Sequence, residues 1–258
     1  MTSPFFLRRL VLSAAILSIF CPAVFAEEKG DGNLHVSGGI SMPSTATSVF
    51  TNPAGLVGAH TALELQAGAP EVWNNGTYRA GLQTGGSNFG VAAGIEDQDR
   101  GNNSPLNAYY GLGVGGPGFS LGLAGKTGIS HGHGSTLNAG LLFSAGSSAQ
   151  IGLTARGLND GVNEFGAGVA FKVNSDVAII VDSAVDEKFK NPELKPGIKV
   201  GSGPAALTLS YGTGAKEEFA DGFTAGASFQ FASSNVLEIQ YNAGGELSKY
   251  FAAFTLGF

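Results

Sequence analysis

Few side chains in this 258-residue sequence are spaced for chemistry. His131 and His133 stand one residue apart beside Ser130, in the glycine-rich stretch Thr127 to Ser135. Two imidazoles without a third ligand do not make a metal site. A serine beside a histidine in such a loop lacks the strand-to-helix turn that presents a nucleophile. Gly113-Val114-Gly115-Gly116-Pro117-Gly118 has the G-x-G-x-x-G spacing of a phosphate cradle. That cradle works only where a helix follows and turns its N-terminus to the phosphate; here Phe119, Leu121 and Leu123 alternate as a strand. These residues predict no catalytic centre, no cofactor and no metal.

Nine of the charges are placed by parity. Glu64, Arg79, Glu96, Lys126, Arg156, Glu164, Lys172, Lys199 and Glu238 fall within runs where apolar residues recur at every second position, and they occupy the other parity. Period 2 is a strand whose alternate side chains face opposite ways. The final stretch, Tyr250 to Phe258, shows it most clearly: Tyr250, Ala252, Phe254, Leu256 and Phe258 make a greasy face, with small or mildly polar residues between them. The same pattern marks strands at Leu63–Ala67, Tyr78–Leu82, Phe89–Ile95, Leu106–Val114, Phe119–Leu123, Leu137–Phe143, Ile151–Ala155, Phe165–Phe171, Val177–Val181, weakly Ile198–Val200, then Leu207–Tyr211, Phe223–Phe231 and Leu237–Tyr241. With the last stretch this makes about fourteen, and twelve is the nearest alternative count. The class this predicts is all-β: an antiparallel transmembrane β-barrel with lipid outside and a polar interior.

Connections and aromatics point the same way. Tight turns at Gly85-Gly86-Ser87, Gly115 to Gly118, Gly146-Ser147-Ser148, Asn174-Ser175, Ser202-Gly203-Pro204 and Ser233-Ser234 alternate with longer loops. Outer-membrane barrels have short periplasmic turns and longer outside loops. On that topology Tyr78, Phe165, Tyr211, Phe223, Tyr241 and Tyr250 fall at outer strand ends, and Phe89, Phe119, Phe143, Phe171, Phe231 and Phe258 at periplasmic ends. Two aromatic girdles at two membrane interfaces are expected. The inward face carries many glycines, among them Gly90, Gly94, Gly122, Gly152, Gly166, Gly168 and Gly226, leaving space for an inserted segment or a ligand. Inward apolar residues are few: Tyr109, Leu142, Ile180 and Phe251, the candidate substrate-binding strip.

Composition fits this class. Charged residues are only 13% of the chain, against about 25% in typical soluble domains. After the first 26 residues no apolar run reaches the roughly 18 residues of a membrane helix. Residues 1–26 read as a cleaved export signal: Arg8 and Arg9, an apolar run from Leu10 to Phe20, then Val24 and Ala26 at the cleavage site. Cleavage there removes Cys21, the only cysteine, and takes the net charge from −6 to −8. No basic patch remains to bind nucleic acid.

Residues 27–60 lack the alternation, and residues 61–258 carry it. Ala46 to Leu56 reads A-T-S-V-F-T-N-P-A-G-L. Pro53 forces Asn52 to be extended and breaks any ladder. Irregular apolar backbone of this kind is protected from lipid only inside a barrel. The expectation is an N-terminal plug, or hatch, in the lumen, with Phe50, Asn52, Pro53 and Leu56 as its gating residues. This stretch resembles the N-terminal hatch of the FadL-type family of outer-membrane transporters for fatty acids and other hydrophobic compounds, whose signature is the N-P-A-G-L of Asn52 to Leu56. The resemblance implies fourteen strands, a plug and passive transport. The outer loops here are shorter than that family's, so its outer capture site is not implied.

The function expected is a plugged diffusion channel for small hydrophobic molecules in the bacterial outer membrane. Its partners are outer-membrane lipid, the barrel assembly machinery and the hydrophobic solute. The alternatives are a small polar-solute porin with a charge-lined lumen and a structural barrel without transport. An enzyme ranks last.

Overall fold

The computed structural model describes residues 39–43, 48–69, 76–98, 105–116, 118–130, 134–159, 161–188, 192–213, 222–231, 235–243 and 250–258. The expected signal at residues 1–26 and the His131–His133 pair lie outside them. Among the described residues, fourteen strands follow one short helix, α1 (Ser48–Thr51), and a 3-10 turn (Pro53–Leu56). The first seven are β1 (Ala62–Ala69), β2 (Thr77–Gly86), β3 (Phe89–Gln98), β4 (Leu106–Gly116), β5 (Phe119–Gly128), β6 (Ser135–Ala145) and β7 (Ala149–Arg156). The second seven are β8 (Glu164–Lys172), β9 (Val177–Asp186), β10 (Glu193–Ser202), β11 (Ala205–Gly212), β12 (Gly222–Gln230), β13 (Val236–Asn242) and β14 (Tyr250–Gly257).

Each strand pairs antiparallel with the next, and β1 pairs with β14 from Ala62↔Gly257 to Ala69↔Tyr250. The sheet is therefore a closed barrel with no edge strand, which is one of the two ways a chain satisfies its backbone in lipid. Six connections at one end are two to five residues long; the seven at the other end are six to nine. We call these the turn end and the loop end. The β7–β8 connection looks shorter in sequence, yet spans 157–163. It folds back on the wall, through Asn163 N–H to the Arg156 carbonyl of β7 (2.9 Å) and Leu158 N–H to the Leu137 carbonyl of β6 (2.8 Å).

Exposure is inverted relative to a water-soluble domain. Leu123 is 50% exposed and Leu207 60%, while Glu96 is 0% and Lys126 6%. Apolar side chains face out and charges face in, as a transmembrane barrel requires. Tyr78, Tyr211, Phe223, Tyr241 and Tyr250 stand exposed at the loop end; Phe119, Phe143, Phe171, Phe231 and Phe258 stand exposed at the turn end. Neighbouring rings touch in the loop-end girdle, Tyr211–Phe223 at 4.9 Å and Tyr241–Tyr250 at 5.4 Å between centroids, and Phe231 of the turn-end girdle faces Phe254 of β14 at 6.0 Å.

β10 is longer than its sequence signal. It begins at Glu193, with Leu194, Pro196, Ile198 and Val200 facing out. Pro196 interrupts the run of apolar residues and has no N–H for the ladder, which is why the alternation looks weak there.

Candidate functional site

The described residues ahead of β1 lie against the inward side of the wall. Pro53 has no N–H and a fixed φ, so a turn starts there without wasting a donor. Asn52 caps it in extended backbone (φ −152°, ψ 102°), and its Oδ1 accepts from Ala54 N–H at 3.2 Å. Its Nδ2 donates to the Ile40 carbonyl (2.8 Å) and to the Leu141 carbonyl of β6 (3.1 Å). One fully buried amide thus joins the turn, the preceding segment and the wall. Aspartate would keep the cap and lose both donations.

Three wall glycines let this turn approach. A methyl at Gly90 of β3 would overlap the Leu56 carbonyl; at Gly122 of β5 it would overlap the Pro53 carbonyl; at Gly140 of β6 it would overlap the Asn52 side chain. Leu56 is fully buried in a cluster with Val49, Ala92, Tyr109 and Ala124, and Phe50 packs on it. Burying a leucine of this kind contributes about 1.5–3 kcal/mol.

Toward the loop end a charge cluster lies beneath Phe50. Arg79 Nε donates to Glu96 Oε2 at 2.6 Å. Lys126 Nζ (3.3 Å) and Asn107 Nδ2 (3.2 Å) donate to Glu96 Oε1. The Arg79 guanidinium also sits 3.7 Å from the Phe50 ring centroid, a cation–π contact. The Phe50 and Tyr109 rings meet edge-on, centroids 4.9 Å apart. Tyr109 lies over Gly81 and Gly94, where a Cβ would strike its hydroxyl, so two glycines make its slot. Its hydroxyl is buried there without a hydrogen-bond partner.

A second anchor was not among the residues singled out from sequence. Asp182, inward on β9 and 4% exposed, accepts from Ile40 N–H (3.0 Å), Ser41 N–H (3.2 Å) and Ser41 Oγ (2.9 Å). The signal was available: an acid at inward parity in the middle of Val177–Asp186. Its partners lie about 140 residues earlier, where nothing local points to them.

The expected gating residues Phe50, Asn52, Pro53 and Leu56 thus share one site. The four inward apolar residues do not. Tyr109 is in that site; Leu142, Ile180 and Phe251 are all buried, but on β6, β9 and β14. Leu142 pairs across to Gly152, Ile180 to Gly197 and Phe251 to Gln240. Arg156 and Glu164 pair at 3.1 Å. Ser130 Oγ accepts from Leu106 N–H at 3.0 Å, a loop-closing role.

No protein-family model matches this chain, and no curated protein matches it by sequence. Among solved structures, the Ralstonia pickettii toluene transporter TbuX aligns over 90% of this chain and 99% of its own, with a TM-score of 0.61 and 9% identity. A Rhodopseudomonas blastica porin mutant aligns over 78% of this chain and 99% of its own, with a TM-score of 0.47 and 9% identity. The first likeness concerns the fold.

Proposed function

We propose that this chain is a passive diffusion channel for small hydrophobic molecules in a bacterial outer membrane, with residues 27–60 as a lumenal hatch and residues 1–26 removed on export. The observation that carries this is the seat of Asn52–Leu56 on Gly90, Gly122 and Gly140, inside a barrel whose outward face is apolar. The N-P-A-G-L motif of that seat resembles the FadL-type hatch, and the similar fold of TbuX belongs to a toluene transporter. On this reading the turn end lies in the periplasm, the loop end faces outside, and the barrel assembly machinery inserts the chain.

Passage needs no covalent step. A hydrophobic solute entering at the loop end meets Phe50 and Tyr109, the apolar cover of the charge cluster. Each CH₂ it removes from water contributes about 0.8 kcal/mol, so contact area selects the solute. Moving onward requires the Asn52–Pro53 turn to leave its glycine seat. Leu142 and Ile180 are separate apolar footholds, and Phe251, beside Tyr250, is another at the loop end. The Asn52 and Asp182 anchors set how readily the hatch moves.

Uptake of radiolabelled toluene and of a radiolabelled long-chain fatty acid by cells expressing the chain tests this. The intact protein should raise uptake of at least one of them above that of cells without it. Leu56→Asp and Phe50→Asp should reduce that uptake while the barrel still inserts and shows heat-modifiable migration. Uptake equal to that of control cells for both probes overturns the transport reading.

A further inference from the structure

The outward face of the barrel is not uniform. Across β4 to β7 one outward row reads Val114, Leu121, Leu141 and Leu153, branched throughout. On the opposite wall, where the barrel closes, the outward row Ala227↔Ile239↔Ala252↔Ala67↔Tyr78 crosses β12, β13, β14, β1 and β2, and three of its five residues are alanine. The next outward row toward the turn end is large again: Phe229, Leu237, Phe254 and Leu65. The next toward the loop end holds Ala225 with Tyr241 and Tyr250, whose ring centroids are 5.4 Å apart. Alanines between rows of larger side chains leave a trough in the wall.

That trough is a groove of about 590 Å³ over β11 to β14, β1 and β2, within the roughly 300–1,000 Å³ of small-molecule sites. It opens on the outside of the barrel, since Tyr78 is 40% exposed and Tyr250 46%. Among the described residues no charged side chain lines it. Gln240 on its floor is buried at inward parity, so the polar side-chain groups of the groove itself are the hydroxyls of Tyr78, Tyr241 and Tyr250 at the loop end. An occupant must therefore be apolar along most of its length and offer hydrogen-bond acceptors at one end. Tyrosines of an aromatic belt sit at headgroup level, and a hydroxyl donates to a carbonyl. Strands of such barrels tilt by about 35–45°. A row at right angles to them therefore descends obliquely, from the headgroups into the hydrocarbon.

We infer that this groove binds a membrane lipid of the loop-end leaflet, one acyl chain lying along the alanine row and its ester carbonyl at Tyr78, Tyr241 and Tyr250. Lipid tails are as apolar as the wall, so what holds one lipid longer than its neighbours is packing in the trough and hydrogen bonding at the rim. A second copy of the chain is the poorer fit. Two copies inserted in the same sense are related about the membrane normal, so equal depths meet. A two-fold contact here would set alanine row against alanine row, and two troughs are not self-complementary. The lipid site goes beyond the hydrophobic route: it lies on the outer wall and needs neither movement of the hatch nor contact with Phe50 or Tyr109.

The test is native mass spectrometry of the full-length protein purified from cells in detergent. The intact protein should retain a single ester-linked lipid per barrel. Ala67→Trp with Ala252→Trp fills the row and should lower the retained fraction severalfold, whereas Leu121→Trp on the opposite wall should leave it unchanged. Tyr241→Phe with Tyr250→Phe keeps both rings, removes two hydroxyls and should lower it by less. Each variant is checked for heat-modifiable migration; if the tryptophan pair does not insert, Ala67→Leu with Ala252→Leu decides. Five results each overturn the inference: an intact monomer without lipid, unchanged retention in the filled groove, an equal loss in Leu121→Trp, a free fatty acid in place of an ester lipid, or a lipid-free dimer. Toluene uptake by the groove variants should match that of the intact chain, so failure of the lipid site is distinguishable from failure of the hydrophobic route.

Discussion

Along β3 to β6 the inward glycines Gly90, Gly122 and Gly140 lie within contact of backbone or side-chain atoms of Asn52, Pro53 and Leu56. Along β10 the inward glycines Gly197 and Gly201 meet only the neighbouring strand, at Ser210 and Ala206. Both sides look alike in sequence: small residues at inward parity, apolar residues at outward parity. Their contents differ. On the first side the missing side chain is replaced by the chain's own turn; on the second it is replaced by side chains and backbone of the neighbouring strand. A small inward residue in a barrel thus marks room, and what fills the room is decided elsewhere in the chain.

The largest effect that probes this contrast is removal of the seated segment. Deleting residues 39–56 should raise ion conductance on the order of tenfold, since a fourteen-stranded wall without its filling encloses an aqueous lumen. Bilayer recording of intact and deleted proteins checks it. Equal conductance would mean that the segment does not obstruct the lumen and would erase the distinction between the two sides.

Next come substitutions that fill one side at a time. Gly122→Val and Gly140→Val collide with Pro53 and Asn52, and overpacking costs about 1–3 kcal/mol. They should loosen the seat and raise conductance. Ser210→Leu and Ser228→Leu add bulk to the side that holds no described part of the seat, and should lower it. Opposite signs in one recording series support the contrast; the same sign on both sides breaks it.

Charges give a third comparison. Glu96 is fully buried between Arg79 and Lys126. Glu96→Ala leaves both cations without that carboxylate and should cost about 3–5 kcal/mol. Asp182→Ala removes the acceptor of three hydrogen bonds from Ile40 and Ser41, about 1–3 kcal/mol. Lys199→Ala, partly exposed on the other side, should stay within about 0.5 kcal/mol. Urea unfolding of the barrel in liposomes orders the three, and a Lys199 variant as costly as the Glu96 variant would show that the second side is packed as well.

Much of this was legible in the sequence. Period 2 located all fourteen strands and gave the inward parity of Glu96, Lys126 and Tyr109, because alternation is local. The irregular A-T-S-V-F-T-N-P-A-G-L stretch stood out for the same reason: it lacks the period. β10 was read short because Pro196 interrupts its outward apolar residues. The pairing of Asp182 with Ser41 was not legible, since it joins residues 141 apart by a choice of register and depth that no window contains. Nor was the separation of Tyr109, Leu142, Ile180 and Phe251. Parity says that each faces in; barrel closure decides that they face different parts of one lumen.

The finest distinction concerns the hydroxyl of Tyr109, whose ring packs against Phe50 on the seated side. Its ring meets Phe50 edge-on and fills the slot over Gly81 and Gly94, while its hydroxyl is buried and makes no hydrogen bond. A buried polar group without a partner costs roughly 1–3 kcal/mol. Tyr109→Phe removes that cost and keeps the ring, so the barrel should be unchanged or slightly more stable in urea. Tyr109→Ala, which empties the slot, should cost several kcal/mol, as large aromatic truncations do at about 3–5. Uptake then separates two uses of the ring. If the solute only slides over an apolar face, Tyr109→Phe transports as well as the intact chain. If Tyr109→Phe lowers uptake of a fatty acid but not of toluene, the unpartnered hydroxyl is serving the solute's polar end. A clear loss of stability in Tyr109→Phe would instead mean that the hydroxyl is satisfied within the barrel, and the seated side would then hold polar contacts where its packing shows apolar ones.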